Sequence, residues 1–187
     1  MVDKKKILIV EGNTREENSE FTNVGINTHT ESLIESINFY KKKLDIDIAN
    51  PSSDKNLDSS IENLEKYDGL IWGGSSLNIY NDTEEIRRQI EFMRVCQSKI
   101  KKILAICWGL QVAVTVAGGS VKKSTTGAHR GIAHDIKINK EGIKHKIYKD
   151  KKIKFNSPAF NFDEVVKLPT DAILLSSNNM NNVMGLN

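Results

Sequence analysis

Cysteine is scarce in this chain: two residues in 187, Cys96 and Cys107. Two thiols do not make a disulfide framework, so the sequence points to a reducing cytoplasm. No apolar run approaches the roughly 20 residues that a bilayer-spanning helix needs, which argues against a membrane protein. The opening MVDKKKILIVEG has a basic flank, but its apolar run is too short for a secretory signal and no small-residue cleavage site follows. Internal repeats and linkers are missing too. At this length one domain with a full core is expected, spanning residues 1–187. Strong charge of one sign is also lacking. The net charge is +3 with the lysines scattered, and no binding motif accompanies them, so a nucleic-acid partner is not expected. The densest cluster, KHKIYKDKKIK (Lys144 to Lys154), alternates with isoleucine and tyrosine and reads as an exposed strand pair with a lysine-rich face. No His/Cys/Asp/Glu set has metal-ligand spacing, and Gly73-Gly74 lacks the lysine of a P-loop, so no metal or other cofactor is expected.

What is present is an alternation of periods. KKILIVEG (Lys5 to Gly12) is a short apolar run of the kind buried on both faces of a sheet. The stretch from Asn13 to Thr30 is polar and reads as a loop, with Thr28 and Thr30 as helix-capping candidates. A helix follows from Ser32, with Leu33, Ile37, Tyr40 and Leu44 at helical spacing. IDIAN (Ile46 to Asn50) reads as a second strand, and SSIENLEKY as a short helix opened by Ser59 or Ser60. DGLIWGG is a third strand. TEEIRRQIEFMRVCQSKI is a long helix starting near Asp82 or Thr83 with an acidic first turn, and it carries Cys96 as a structural thiol. KILAIC is a fourth strand. Strands alternating with helices imply a parallel sheet with helices on both faces, a three-layer, flavodoxin-like α/β arrangement. Beyond Ser120, GIAHDIKI, KHKIYK, KIKFNS and AILLSS are short β-like runs that predict antiparallel additions.

Cys107 falls where the fourth strand meets the next helix, in KILAICWGLQVAVTVAGG. A residue there sits on a sharp turn at the carboxyl edge of the sheet, where open α/β folds place their ligands. Ala105 and Gly109 let the backbone bend, and a helix beginning near Trp108 aims N–H groups and its positive end at the sulfur. Both effects favour a nucleophilic thiolate. The Trp108 N–H can donate to an oxyanion growing beside that sulfur, and the glycine turn Gly73-Gly74-Ser75-Ser76 on the adjacent strand can supply a second donor. Taken alone, Cys107 could equally be a small buried hydrophobe, and Gly73-Gly74 a plain strand-to-loop turn.

At these residues the sequence resembles the class I glutamine amidotransferases. The elbow Ala105-Ile106-Cys107-Trp108-Gly109-Leu110-Gln111, with Gly118-Gly119 after it, follows the pattern G-x-C-x-G-x-Q…G-G, and Asp68-Gly69-Leu70-Ile71-Trp72-Gly73-Gly74 follows the strand before it. WGGSSLNIY and CWGLQVA are similar to stand-alone, GMP-synthase-like members. Ala105 replaces the usual glycine and Trp72 the usual proline. The resemblance implies Cys107 as nucleophile, backbone amides of Gly74 and Trp108 as oxyanion hole, and Gly73 and Gln111 as substrate contacts. It implies L-glutamine or a related γ-glutamyl amide as substrate, and an ammonia-accepting synthetase as partner.

The family's late His-Pro-Glu is not found. None of His29, His129, His134 and His145 precedes Pro-Glu, and the sequence reaches NNMNNVMGLN first. His29 is expected at a helix start, His129 and His134 flanking a strand, each in a surface or structural role. A domain lacking its C-terminal end is expected, the alternative being a member that has lost its base. The functions that follow are glutamine hydrolysis through a cysteine thioester, γ-glutamyl hydrolysis of another amide, or a non-catalytic protein that kept the pocket for binding or regulation.

Overall fold

The run Lys6–Val10 forms β1, the strand on which the first part of the chain is organised, with Leu8, Ile9 and Val10 almost wholly buried. In the computed structural model, which describes residues 4–40, 44–54 and 62–187, β1 pairs in parallel with both β2 (Asp45–Ala49) and β3 (Gly69–Trp72). β3 pairs in parallel with β4 (Ile103–Ala105), giving the strand order β2-β1-β3-β4. The chain steps from β1 to one side and then crosses back to β3 and β4. Val10 lies beside Trp72, and Trp72 beside Ala105, so Glu11, Gly73 and Ile106 leave the sheet along one carboxyl edge. The fold is the three-layer α/β class expected.

Among the described residues, four α-helices accompany this sheet within the unit Met1–Val116. The segment after Asn13 is not the loop expected. Arg15–Asn23 forms α1, opened by a reciprocal capping box in which Glu17 N donates to Thr14 Oγ1 (3.2 Å) and Thr14 N to the Glu17 carboxylate (2.8 Å). It buries no residue, so no apolar period marks it in the sequence. α2 (His29–Tyr40) begins three residues earlier than the periodicity suggested, capped by Thr28, whose Oγ1 accepts from Glu31 N. Leu33 and Ile37 are half-buried, but Tyr40 is exposed and stacks edge-on against Phe39. The proposed cap residues Ser59 and Ser60 lie outside the described residues; the described end of that segment is a 3₁₀ turn, Leu64–Lys66. α3 (Glu84–Lys99) buries Ile86, Gln89, Phe92, Met93 and Cys96, one stripe at three- and four-residue steps. α4 (Trp108–Val116) starts at the residue after Cys107.

The second unit, Ala117–Asn187, is antiparallel, as the later runs suggested. β5 (Ser120–Lys123) pairs with a later strand, β8 (Asp163–Lys167). A four-stranded sheet joins β6 (His129–Ile138), β7 (Lys154–Asn161), β9 (Leu174–Ser177) and β10 (Gly185–Leu186) in the order β10-β9-β6-β7. The lysine-rich stretch is not a strand pair. Asn139 accepts from Glu141 N and Gly142 N and nucleates α5 (Lys140–Lys144), and a 3₁₀ turn at Lys146–Tyr148 leads into β7. The cap decides the local conformation there, against an alternation that imitates a strand.

Candidate functional site

The backbone bends at Cys107. Ile106 N still donates to Trp72 O at 2.9 Å, prolonging the β3–β4 ladder. Cys107 then turns to φ +54°, and Gln111 N donates to Cys107 O at 3.1 Å to open α4. A left-handed conformation costs a non-glycine residue about 1–2 kcal/mol. It persists because the next residues are fastened: Gly109 N donates both to Ile106 O and to Gly73 O, each at 3.0 Å. Gly109 must be glycine. A Cβ there would stand 2.5 Å from Trp72 O and 2.8 Å from Trp72 Cβ, so only a bare Cα lets α4 lie this close to β3. The Cys107 side chain is exposed. Cys96, by contrast, is fully buried and its thiol is pushed up to about 12 by desolvation, a structural residue as expected.

The glycine turn after β3 lies where the sequence placed it. Gly73 offers its carbonyl to Gly109, and the Gly74 N–H makes no hydrogen bond among the described residues. The turn is pinned from the segment that leads from β1 into α1: Ser76 N donates to Asn13 Oδ1 at 3.0 Å, and Ser76 Oγ reaches Glu17 at 2.6 Å. Asn13 is wholly buried; its N–H donates to the buried Glu11 carboxylate (2.8 Å), and its carbonyl accepts from Ser52 Oγ. On α4, Gln111 Oε1 is buried with no hydrogen-bond partner among the described residues. A buried acceptor left so costs about 1–3 kcal/mol.

Two residues that sequence reasoning did not single out organise this edge. Gln89 on α3 is fully buried; it accepts from the Trp108 indole Nε1 at 2.7 Å and donates through Nε2 to Gly12 O at 3.0 Å. The signal was a glutamine inside the apolar stripe Ile86–Phe92–Cys96. Asn13 was passed over as part of a polar loop, although Thr14-x-x-Glu17 is a legible capping box.

The histidines divide by unit. His29, the first residue of α2, packs beside the glycine turn: its Nδ1 is 3.5 Å from where a Cβ on Gly74 would stand, and its ring lies 5.3 Å from that of Phe21. In the second unit His129 is buried, with Nδ1 2.8 Å from Asn161 Oδ1 and Nε2 accepting from Asn178 Nδ2 at 3.0 Å. Those partners select the tautomer with the proton on Nδ1. His145 Nδ1 accepts from Ile147 N, and His134 is exposed. Among the described residues no group of three or more His, Cys, Asp or Glu could hold a metal ion, and no helix is long and apolar enough to cross a membrane.

The family model described as glutamine amidotransferase class-I matches residues 26–187. A γ-glutamyl-L-1-hydroxyisopropylamide hydrolase from Pseudomonas sp is 30% identical over 183 residues, covering 95% of this chain and 60% of that protein. γ-Glutamyl peptidase 3 of Arabidopsis thaliana is 32% identical over 64% of this chain and 49% of its own length. The chain thus spans between about half and 60% of these relatives. Among solved structures, a glutamine amidotransferase from Thermotoga maritima superposes with a TM-score of 0.76 at 16% identity, covering 99% of this chain and 72% of its own. A GMP synthase-type protein from Thermoplasma acidophilum does so with a TM-score of 0.71 at 20% identity, covering 100% and 79%. At these identities the structural likeness speaks for the fold.

Proposed function

The chain belongs to the class-I glutamine amidotransferase family, and on that premise we propose that it is a cysteine amidohydrolase domain acting on L-glutamine or a related γ-glutamyl amide, with Cys107 as its nucleophile. The observation that carries the reading is the exposed Cys107 side chain at φ +54°, between the end of a parallel strand and the first turn of a helix. Strain of this kind is kept where a side chain must be presented at a sheet edge.

In the proposed reaction the Cys107 thiolate attacks the γ-carbonyl carbon and forms the C–S bond, while the carbonyl π electrons move to oxygen. The Gly74 and Trp108 N–H groups receive that oxyanion, each worth on the order of 3 kcal/mol in comparable sites. Gly73 shapes the turn, and Gln111 is given the substrate-binding role that the pattern Cys107-x-Gly109-x-Gln111 implies. Collapse breaks the C–N bond, the nitrogen leaves with a proton, and water hydrolyses the thioester to the γ-carboxylate and the restored thiol. In the amidotransferase reading the ammonia passes to a synthetase, on the same chain or a separate one. The departing nitrogen needs a proton donor, and these 187 residues contain no His-Pro-Glu to supply it. Expressed by themselves they are expected to turn over glutamine several powers of ten below an intact triad.

A second reading, hydrolysis of a γ-glutamyl amide larger than glutamine, draws on the names of the two relatives above. Both readings require covalent capture at Cys107. Incubation with a chloromethyl ketone built on the glutamine skeleton, followed by peptide mass spectrometry, should modify Cys107 alone and be slowed by γ-glutamyl amides. No adduct at Cys107, or one indifferent to those competitors, would favour a non-catalytic binding role. Competition by glutamine against larger γ-glutamyl amides then separates the two enzymatic readings.

A further inference from the structure

Gln89 lies on α3, away from the reacting groups, yet its two hydrogen bonds end on the structures that frame the site. Its Oε1 holds the indole of Trp108, the residue whose own N–H follows the nucleophile. Its Nε2 holds the carbonyl of Gly12, just past β1. Gly12 is wedged between both sides of the edge: a Cβ added there would stand 2.8 Å from Trp108 Cδ1, 2.9 Å from Gly74 O and 3.0 Å from Ser75 Cβ. One buried amide therefore fixes the Trp108 ring directly and the Gly74 turn through Gly12. A side chain serving only to fill α3's apolar stripe would do so better as leucine or methionine, since a buried amide must find both a donor and an acceptor to be tolerated.

We propose that Gln89 is a positioning residue that sets the relative placement of the Gly74 and Trp108 N–H donors, an inference that rests on the oxyanion role given to them above. It predicts a selective defect. Reaction of Cys107 with a glutamine-skeleton chloromethyl ketone forms an S–C bond and releases chloride while the ketone oxygen seats between the donors. Alkylation by iodoacetamide forms an S–C bond and releases iodide with no oxyanion to hold.

The test compares Gln89→Leu, Trp108→Phe and the double variant with the unsubstituted 187-residue chain, measuring both alkylation rates at Cys107. Trp108→Phe keeps a large ring and removes the indole N–H, so it carries the test should Gln89→Leu fail to fold. The expected result is a fall of tenfold or more in the ketone rate, with the iodoacetamide rate within twofold. Gln89→Leu, which loses both bonds, should fall at least as far as Trp108→Phe, which loses only the indole bond, and the double should be no worse than Gln89→Leu. Equal slowing with both reagents, or no change with either, overturns the proposal and leaves Gln89 a packing residue. Failure of the ketone to label Cys107 in the unsubstituted chain overturns the enzymatic reading, and this inference with it. Normal labelling there with unchanged variants overturns this inference alone.

Discussion

Replacing Gly109 by alanine tests the elbow at its tightest point. The added Cβ would face Trp72 O at 2.5 Å, Trp72 Cβ at 2.8 Å and Trp72 C at 3.0 Å, all of them strand atoms with little freedom to give way. Reaching ordinary contact requires α4 to withdraw by about 1 Å. That movement lengthens the 3.0 Å bond from Gly109 N to Gly73 O past useful range. Overpacking of this kind costs about 1–3 kcal/mol and the lost bond about 1 kcal/mol. Alanine returns about 1 kcal/mol through its better helix propensity. The net expectation is a loss of about 2 kcal/mol, which in a chain of this size lowers Tm by roughly 4–8 °C. Trp72 and Trp108 are the chain's two tryptophans and both are buried in the first unit, so their fluorescence follows its melting directly. Gly73→Ala is the control, since nothing lies within 4 Å of its added Cβ, and it should melt within about 2 °C of the parent. Gly109→Ala melting at or above the parent would mean that helix propensity outweighs the clash and that α4 does not need its close approach to β3.

Three further outcomes are expected. Between pH 9 and 12 the unfolded Cys96 thiol, at its ordinary 9.0, ionises while the folded one, at about 12, does not. Stability therefore falls as pH rises through this window, by about 1 kcal/mol at pH 10, and equal alkaline slopes in denaturant titrations of parent and Cys96→Ala would refute this. His129→Ala strips Asn161 and Asn178 of their buried partner and should destabilise the second unit by about 2–4 kcal/mol. Hydrogen exchange of β6 and β7 would read that loss, and a cost below about 0.5 kcal/mol would show the pair to be dispensable. Cys107→Gly should be at least as stable as Cys107→Ala, because glycine relieves about 1–2 kcal/mol of left-handed strain. Chemical denaturation that ranks alanine clearly above glycine would contradict the bent geometry.

β1, β3 and β4 were legible as short apolar runs closed by glycine or cysteine, while the edge strand β2, DIDIA, showed itself by its alternating isoleucines. The position of Cys107 was legible for the same reason: the change from strand to helix period locates the bend to the residue. α1 was not legible by period because it buries nothing; it is held at its first turn, by the Thr14–Glu17 box and by Ser76 on Glu17. Only cap chemistry could have announced it. The lysine-rich stretch misled in the opposite direction. Its isoleucines, Ile147 and Ile153, are more than half exposed, so the alternation reflects no buried face, and Asn139 settles the local structure instead. Gln89 was invisible because sequence periodicity marks which face of α3 is buried, not what a polar residue on that face must bond.

The same reasoning explains why bulk and its absence alternate around the nucleophile. Gly109 has to lack a side chain, because the space its Cβ would need is taken by the Trp72 backbone. Trp108 has to be large, because strain at Cys107 relaxes unless the following residue is anchored, and a buried indole with a fixed hydrogen bond to Gln89 is such an anchor. Gly12 again has to be bare, since Trp108 and the Gly74 carbonyl already meet there. Close approach at two glycines thus confines the tryptophan, and the confined tryptophan holds Cys107 at an angle it would otherwise leave. The strain of about 1–2 kcal/mol is small beside the burial of one tryptophan, which removes roughly 200 Å² from water and is worth several kcal/mol. That disproportion lets the chain keep an exposed thiol at a positive φ without help from the residues that would react with it.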